Sequence, residues 1–253
     1  MVNARSVIYG SAFFASFILL LWPGNALAYR PFDGTDAAVA EKNEVEIELG
    51  PFGYSREGTQ RSLVAPSLVL NWGFAQGWEA VLEGSQSAEV GPIAGQRLRI
   101  VDTSFSLKHV LVDGVLQDKT GISIATEFGP LLPTINGEPG AGAEWALIAS
   151  GRSDLLTVHL NTAVAWTRAH TFDFIGGAIF EVHDSWSVRP VFEVIAQEDV
   201  SQGFTASGLA GAIWRVREGL SLDSAVRFAR TGGISSTEIR MGLTWAFTVA
   251  RPG

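Results

Sequence analysis

The chain has no cysteine among its 253 residues, so disulfides, thiolate metal sites and a cysteine nucleophile are excluded. It is poor in basic residues: 18 Lys and Arg stand against 26 Asp and Glu, for a net charge of −8 and a pI of about 5.0. Nucleic-acid binding through a general basic surface is therefore excluded. Only 17% of residues are charged and 47% are hydrophobic, the reverse of a disordered chain. Beyond the first 28 residues no apolar run approaches the ~20 residues of a membrane-spanning helix. What is present is an excess of glycine (28), tryptophan (8) and phenylalanine (15), with a mean hydropathy of +0.21. That balance leans toward lipid without a long apolar run to explain it.

Residues 1–28 read as a secretory signal peptide. Arg5 supplies the positive charge, and an apolar stretch follows from Val7 to Trp22, broken by Pro23 and Gly24. Asn25-Ala26-Leu27-Ala28 supplies the small residues a signal peptidase needs, with cleavage expected after Ala28. As a spanning anchor the stretch is short and is interrupted by Tyr9, Gly10, Ser11 and Ser16.

The rest of the chain alternates apolar with polar or small residues, the pattern of strands with two different faces. Val45, Ile47 and Leu49 interleave with Glu44, Glu46 and Glu48. Val101, Thr103, Phe105 and Leu107 oppose Asp102, Ser104, Ser106 and Lys108. Leu156, Val158, Leu160, Val164 and Trp166 oppose Thr157, His159, Asn161 and Thr167. Turn residues separate such runs, as in Ala75-Gln76-Gly77, Glu218-Gly219 and Gly232-Gly233. Twelve strands are predicted: 44–55, 61–73, 77–87, 97–111, 120–130, 141–150, 154–167, 170–183, 186–197, 203–216, 219–230 and 236–247. They approach the ~9–11 residues a tilted strand needs to cross a bilayer. Pro66 and Pro190 fall inside predicted strands and are expected at bulges or outside the lipid slab.

The polar parity carries full charges in mid-strand; on the outside of a soluble barrel they would go with a surface rich in Lys, which this chain lacks, so they suit the lumen of a membrane barrel better. The expected fold is all-β, a transmembrane antiparallel up-and-down barrel of about twelve strands. Aromatics near strand ends (Trp72, Phe74 and Trp78; Trp166 and Phe172; Trp245 and Phe247) fit interfacial girdles. The domain reading is a signal peptide at 1–28, an N-terminal extension at 29–43, the barrel at 44–247 and a tail at 248–253. Asp33-Gly34-Thr35-Asp36 is too short for a calcium loop and reads as a turn in the extension.

The lumen-lining candidates are Glu46, Asp102, Lys108, Glu127, Glu144, His159, Glu181, Arg189, Glu193, Asp223, Arg227, Glu238 and Arg240. Glu44, Glu48, Glu79, Asp173 and Arg215 share that face. The acid excess suggests a cation-leaning pore with basic cross-pairs. The alternative is a structural barrel in which acid–base pairs plug the lumen; a third reading is a soluble periplasmic ligand-binding barrel. Catalysis is not expected: His159 and Asn161 share a strand face, but serine and histidine share no local motif. His109, His159, His170 and His183 lack metal-ligand spacing, and no cofactor is expected. Gly140-Ala141-Gly142 lacks the third glycine of a dinucleotide fingerprint.

Several motifs, in order, resemble one family. The segment Arg30-Pro31-Phe32-Asp33-Gly34-Thr35-Asp36-Ala37 resembles the opening of the MetA-pathway-of-phenol-degradation family of outer-membrane β-barrel proteins. That opening usually carries paired aspartates, where this chain has Asp36-Ala37. Asn71-Trp72-Gly73-Phe74-Ala75-Gln76-Gly77-Trp78-Glu79 is similar to the family's first tight turn, and Leu131-Leu132-Pro133-Thr134 to its mid-chain element. Asp184-Ser185-Trp186-Ser187-Val188-Arg189-Pro190-Val191-Phe192-Glu193 and Gly242-Leu243-Thr244-Trp245-Ala246-Phe247 resemble its late turn and closing strand. The resemblance implies a barrel in the bacterial outer membrane and a link to aromatic-compound uptake; it carries over no binding residues. The expected partners are outer-membrane lipid, the barrel-assembly machinery and an unidentified small-molecule solute, with no nucleic acid. Passage would be passive. Long connections are expected to be extracellular, with Ser87 to Gln96 and Pro133 to Gly140 as candidates.

Overall fold

A computed structural model describes residues 22–23, 30–91, 98–182 and 185–249. Twelve strands run in sequence: β1 Glu44–Glu57, β2 Gln60–Ala75, β3 Trp78–Glu89, β4 Arg99–Val112, β5 Ser123–Leu131 and β6 Gly142–Arg152. They continue as β7 Leu156–Trp166, β8 Phe172–Val182, β9 Val188–Asp199, β10 Gly203–Arg217, β11 Leu220–Thr231 and β12 Ile234–Thr248. Each pairs antiparallel with its sequence neighbour, and β12 returns to β1, with Ile239 opposite Tyr54 and Phe247 opposite Val45. The sheet is thus a closed up-and-down barrel in which every strand has two partners, as a barrel in hydrocarbon requires.

The hairpins form where the turn residues predict them. Between β11 and β12 both turn residues, Gly232 and Gly233, have positive φ (54° and 95°), a conformation that matches strand twist and that side chains resist. The β5 strand starts later than the alternation predicts. Its approach is taken by a single 3-10 turn, Val115–Gln117, where Leu116 N–H donates to Ser123 Oγ and Val115 N–H to the Gly121 carbonyl. The ladder is irregular at Pro66, between Val64 and Ser67, because an imide nitrogen cannot donate. Pro190 is a different case: it pairs in register with Ala212 of β10, and the β8 ladder begins only at Val191.

The apolar and polar parities have opposite destinations. In β9 Arg189, Val191 and Glu193 are buried, whereas Val188, Pro190, Phe192 and Val194 are exposed. Glu193 keeps 2% of its surface while its neighbour Phe192 keeps 45%, so charge points in and aromatic surface out. The same inversion holds in β1, where Glu44, Glu46 and Glu48 are buried and Val45, Ile47 and Leu49 are less so. In these strands the charged parity is the interior one, the reverse of a soluble barrel with an apolar interior. Exposed aromatics collect near both rims: Trp72, Trp186 and Trp214 near the end where β1 starts, and Trp145, Trp166 and Phe172 near the opposite end. The β3–β4 and β5–β6 connections, which hold the two expected extracellular loops, leave the barrel at that opposite end.

Trp22–Pro23 pair with Thr248 and Phe247 at the end of β12. The rest of the predicted signal peptide, most of the tail, residues 92–97 of the first loop and His183 lie outside the described residues.

Candidate functional site: the occupied lumen

The N-terminal extension lies inside the barrel rather than outside it. Its residues reach wall strands far away in sequence, each through a specific polar bond. Arg30 lies against Gly50 and Gly242, donates to Ser67 Oγ (3.1 Å) and has Nε 3.5 Å from Asp223. Asp33 sits between Arg227 Nε (2.7 Å) and Arg240 Nη1 (2.6 Å). The backbone N–H groups of Asp33 and Gly34 donate to the two oxygens of Glu193 (3.1 and 2.8 Å). Thr35 and Asn161 exchange two bonds, backbone N–H to Oδ1 (3.0 Å) and Nδ2 to the Thr35 carbonyl (2.8 Å). Lys108 Nζ donates to Thr35 Oγ1 (2.9 Å) and pairs with Asp36 (3.3 Å). The segment then descends: Ala37 N–H donates to Ser150 Oγ (3.0 Å), Gln117 Nε2 to the Ala37 carbonyl (2.9 Å), and Ala40 N–H to Glu79 (2.6 Å). It leaves at the rim, where Asn43 N–H donates to the Gly73 carbonyl (2.7 Å), and β1 begins.

This path explains why the lumen is polar. An irregular segment has no ladder of its own, so its N–H and C=O groups must find partners on the surrounding wall. Strand alternation places one inward side chain every second residue, and those side chains supply the partners. The Asp33-Gly34-Thr35-Asp36 turn is the tip of the segment.

Most lumen-lining candidates bear on this segment or on its supports. Lys108, Glu193, Asp223, Arg227 and Arg240 touch it directly. Glu238 steadies Arg240 through two bonds of 2.9 Å. Glu127 accepts from Ser106 Oγ, and Glu144 is inward and half-buried. Glu46 is buried between Glu44, which accepts from Glu41 N–H, and Glu48, which accepts from Asn71. Asp102 differs: it sits at an irregularity of β4 with φ 55° and is exposed. Arg215 is exposed at the rim.

The fold also assembles a group that strand parity alone did not reveal. Ser150 Oγ lies 2.8 Å from His159 Nδ1, His159 Nε2 lies 3.6 Å from Glu181, and Arg189 donates to Glu181 at 3.2 Å. The hydroxyl–imidazole–carboxylate order is that of a nucleophile relay. Here Ser150 is fully buried and takes the Ala37 N–H, so the group serves as an anchor for the inner segment. Arg30, Asp33, Asp36, Ser150 and Gln117 were all missed as site residues. The one signal for Asp33 was indirect: inward arginines on neighbouring strands call for an acid.

Among the described residues no group of three or more His, Asp or Glu is arranged to hold a metal ion. A cavity of about 170 Å³ lies beside the tip, between Asp33, Gly34, Arg227 and Gln197 on its polar side and Ile175 and Ile195 on its apolar side.

No family model matches the sequence, and no curated protein does. Solved structures share its shape. An outer membrane channel of the COG4313 group from Pseudomonas putida F1 aligns with a TM-score of 0.59 at 8% identity, covering 83% of this chain and 96% of that one. The NanC porin gives 0.57 at 8% identity over 79% and 98%, and the CymD monoaromatic hydrocarbon channel 0.51 at 9% over 83% and 90%. At such identities the likeness is one of fold: a barrel of the outer-membrane channel type.

Proposed function

We propose that this protein is a bacterial outer-membrane barrel that gives small molecules passive passage, held at rest by its own N-terminal segment. The observation that carries this reading is the inverted barrel whose lumen holds a separate, irregular segment of the chain. The wall presents apolar surface outward and charge inward. What fills the lumen is not the wall's own side chains alone but a separate strand of chain attached by polar bonds. A wall built only to be stable would be simpler with a packed interior. The signal peptide, cleaved after Ala28, would deliver the chain through the periplasm to the assembly machinery. The resemblance to the phenol-degradation family, together with a fold shared with a monoaromatic hydrocarbon channel, supports apolar or aromatic solutes as cargo. The inward residues named above would line the route, and their acid excess favours cations over anions among small ions.

A second reading is a structural barrel that never opens, which the number of bonds on the inner segment favours. Planar-bilayer recording separates the two. Deleting residues 30–40 should raise single-channel conductance severalfold over the intact protein, with a reversal potential in a KCl gradient of the cation-selective sign. Liposomes carrying the deletion variant should admit solutes that the intact barrel retains. Unchanged conductance in a barrel that still runs as heat-modifiable on gels would rule out the passage.

A further inference from the structure

Asp33 is the acid of the inner segment that two arginines hold. Its two oxygens meet different guanidiniums, Arg227 at 2.7 Å and Arg240 at 2.6 Å. Those arginines come from adjacent strands, with Arg227 paired opposite Glu238. Two converging guanidiniums make a carboxylate receptor, because each offers several donors in a fixed plane. Next to it, Glu193 receives two N–H donors from Asp33 and Gly34. The cavity opens onto the same pair, since Asp33, Gly34, Glu193 and Arg227 line it, while Ile175 and Ile195 give it an apolar wall. The tip therefore displays a carboxylate and hydrogen-bond donors beside a cavity with an apolar wall. Those are the parts of a small organic acid, with the body missing.

We propose that the cavity together with Arg227, Arg240 and Glu193 is a ligand site whose resting occupant is the Asp33–Gly34 tip. The free ligand it takes is a small apolar carboxylate that also carries a hydroxyl or amide donor. Its carboxylate replaces that of Asp33 on the arginines, its donor replaces the backbone N–H groups on Glu193, and its body fills the space against Ile175 and Ile195. Binding then loosens the tip, so cargo and opening are coupled. The proposal names the cargo of the passage suggested above and rests on that reading, but binding can be measured without any conductance.

The resting occupant is tethered, and a tethered group competes at an effective concentration on the order of millimolar. Removing its charge should strengthen binding of the free ligand. The test is calorimetric titration of the full-length protein in detergent with 4-hydroxybenzoate, and with 4-hydroxybenzyl alcohol and tyramine as neutral and cationic counterparts. The acid should bind and the other two should not. Asp33→Asn should bind the acid at least roughly tenfold more tightly, and adding Arg227→Gln to that variant should cancel the gain. Heat-modifiable migration of each variant confirms the barrel. Equal binding of all three probes, or no gain in Asp33→Asn, overturns the proposal. The two readings fail separately. A barrel that conducts after deletion of residues 30–40 but whose Asp33→Asn form ignores the acid keeps the passage and loses the site. A barrel that binds the acid but never conducts keeps the site and loses the passage.

Discussion

Lys108 shows what a single residue contributes. Its side chain is 5% exposed, as is 7% of its partner Asp36, so the pair sits out of water in the barrel interior. Two charges brought out of water gain little net energy from pairing, but removing one partner strands the other and costs about 3–5 kcal/mol. Lys108→Met should therefore lower the temperature at which the barrel loses its compact migration, and should weaken retention of the inner segment. Lys108→Met combined with Asp36→Asn should recover much of that loss, because it removes the stranded charge. Thermal gel-shift series on the three variants would decide this. The inward direction of Lys108 was legible in the alternation of β4. Its partner was not, because Asp36 lies in an irregular segment with no period to read.

At the scale of the element, the inner segment is an irregular stretch with no ladder of its own. It passes so close to β2 that a side chain at position 73 has no room: a Cβ built on Gly73 would collide with the carbonyls of Ala40 and Glu41. The glycine is needed there for close approach of two backbones. Gly73→Val should push the segment off the wall and break the bond from Asn43 N–H to the Gly73 carbonyl. The barrel should still form, since Gly73 lies near the end of a long strand whose other pairs are untouched. Limited proteolysis with mass readout should show cleavage within residues 30–43 in the variant and protection in the parent. Equal protection would mean that the other bonds hold the segment alone. The strands themselves were read from sequence to within a few residues. The exceptions have local causes, such as the 3-10 turn that delays β5.

For the whole molecule the decisive property is its inversion. Leu160 sits in mid-strand on β7, opposite Ala149 and Ala178, and is 55% exposed. In a membrane that exposure is contact with hydrocarbon. Leu160→Arg should cost about 2–4 kcal/mol near the bilayer midplane, seen as reduced refolding yield into lipid vesicles. His159→Arg at the neighbouring inward position would act differently, by crowding the Ser150–Glu181 group rather than by meeting lipid. A Leu160→Arg variant that refolds as well as the parent would argue against a bilayer around this belt.

Alternation such as that of Val45, Ile47 and Leu49 with Glu44, Glu46 and Glu48 was enough to determine strands and which residues share a face; that the sheet closes, with the last strand paired to the first, is decided by the tertiary structure. Strand geometry sends successive side chains to opposite sides, so period-two patterning is local information. The contents of the lumen are not local. Asp33 meets Arg227 and Arg240, Thr35 meets Asn161, and Ala37 meets Ser150 only after closure brings walls from opposite sides of the barrel around one irregular segment. Their separations in sequence carry no period, and only the closed tertiary structure decides which acid faces which base.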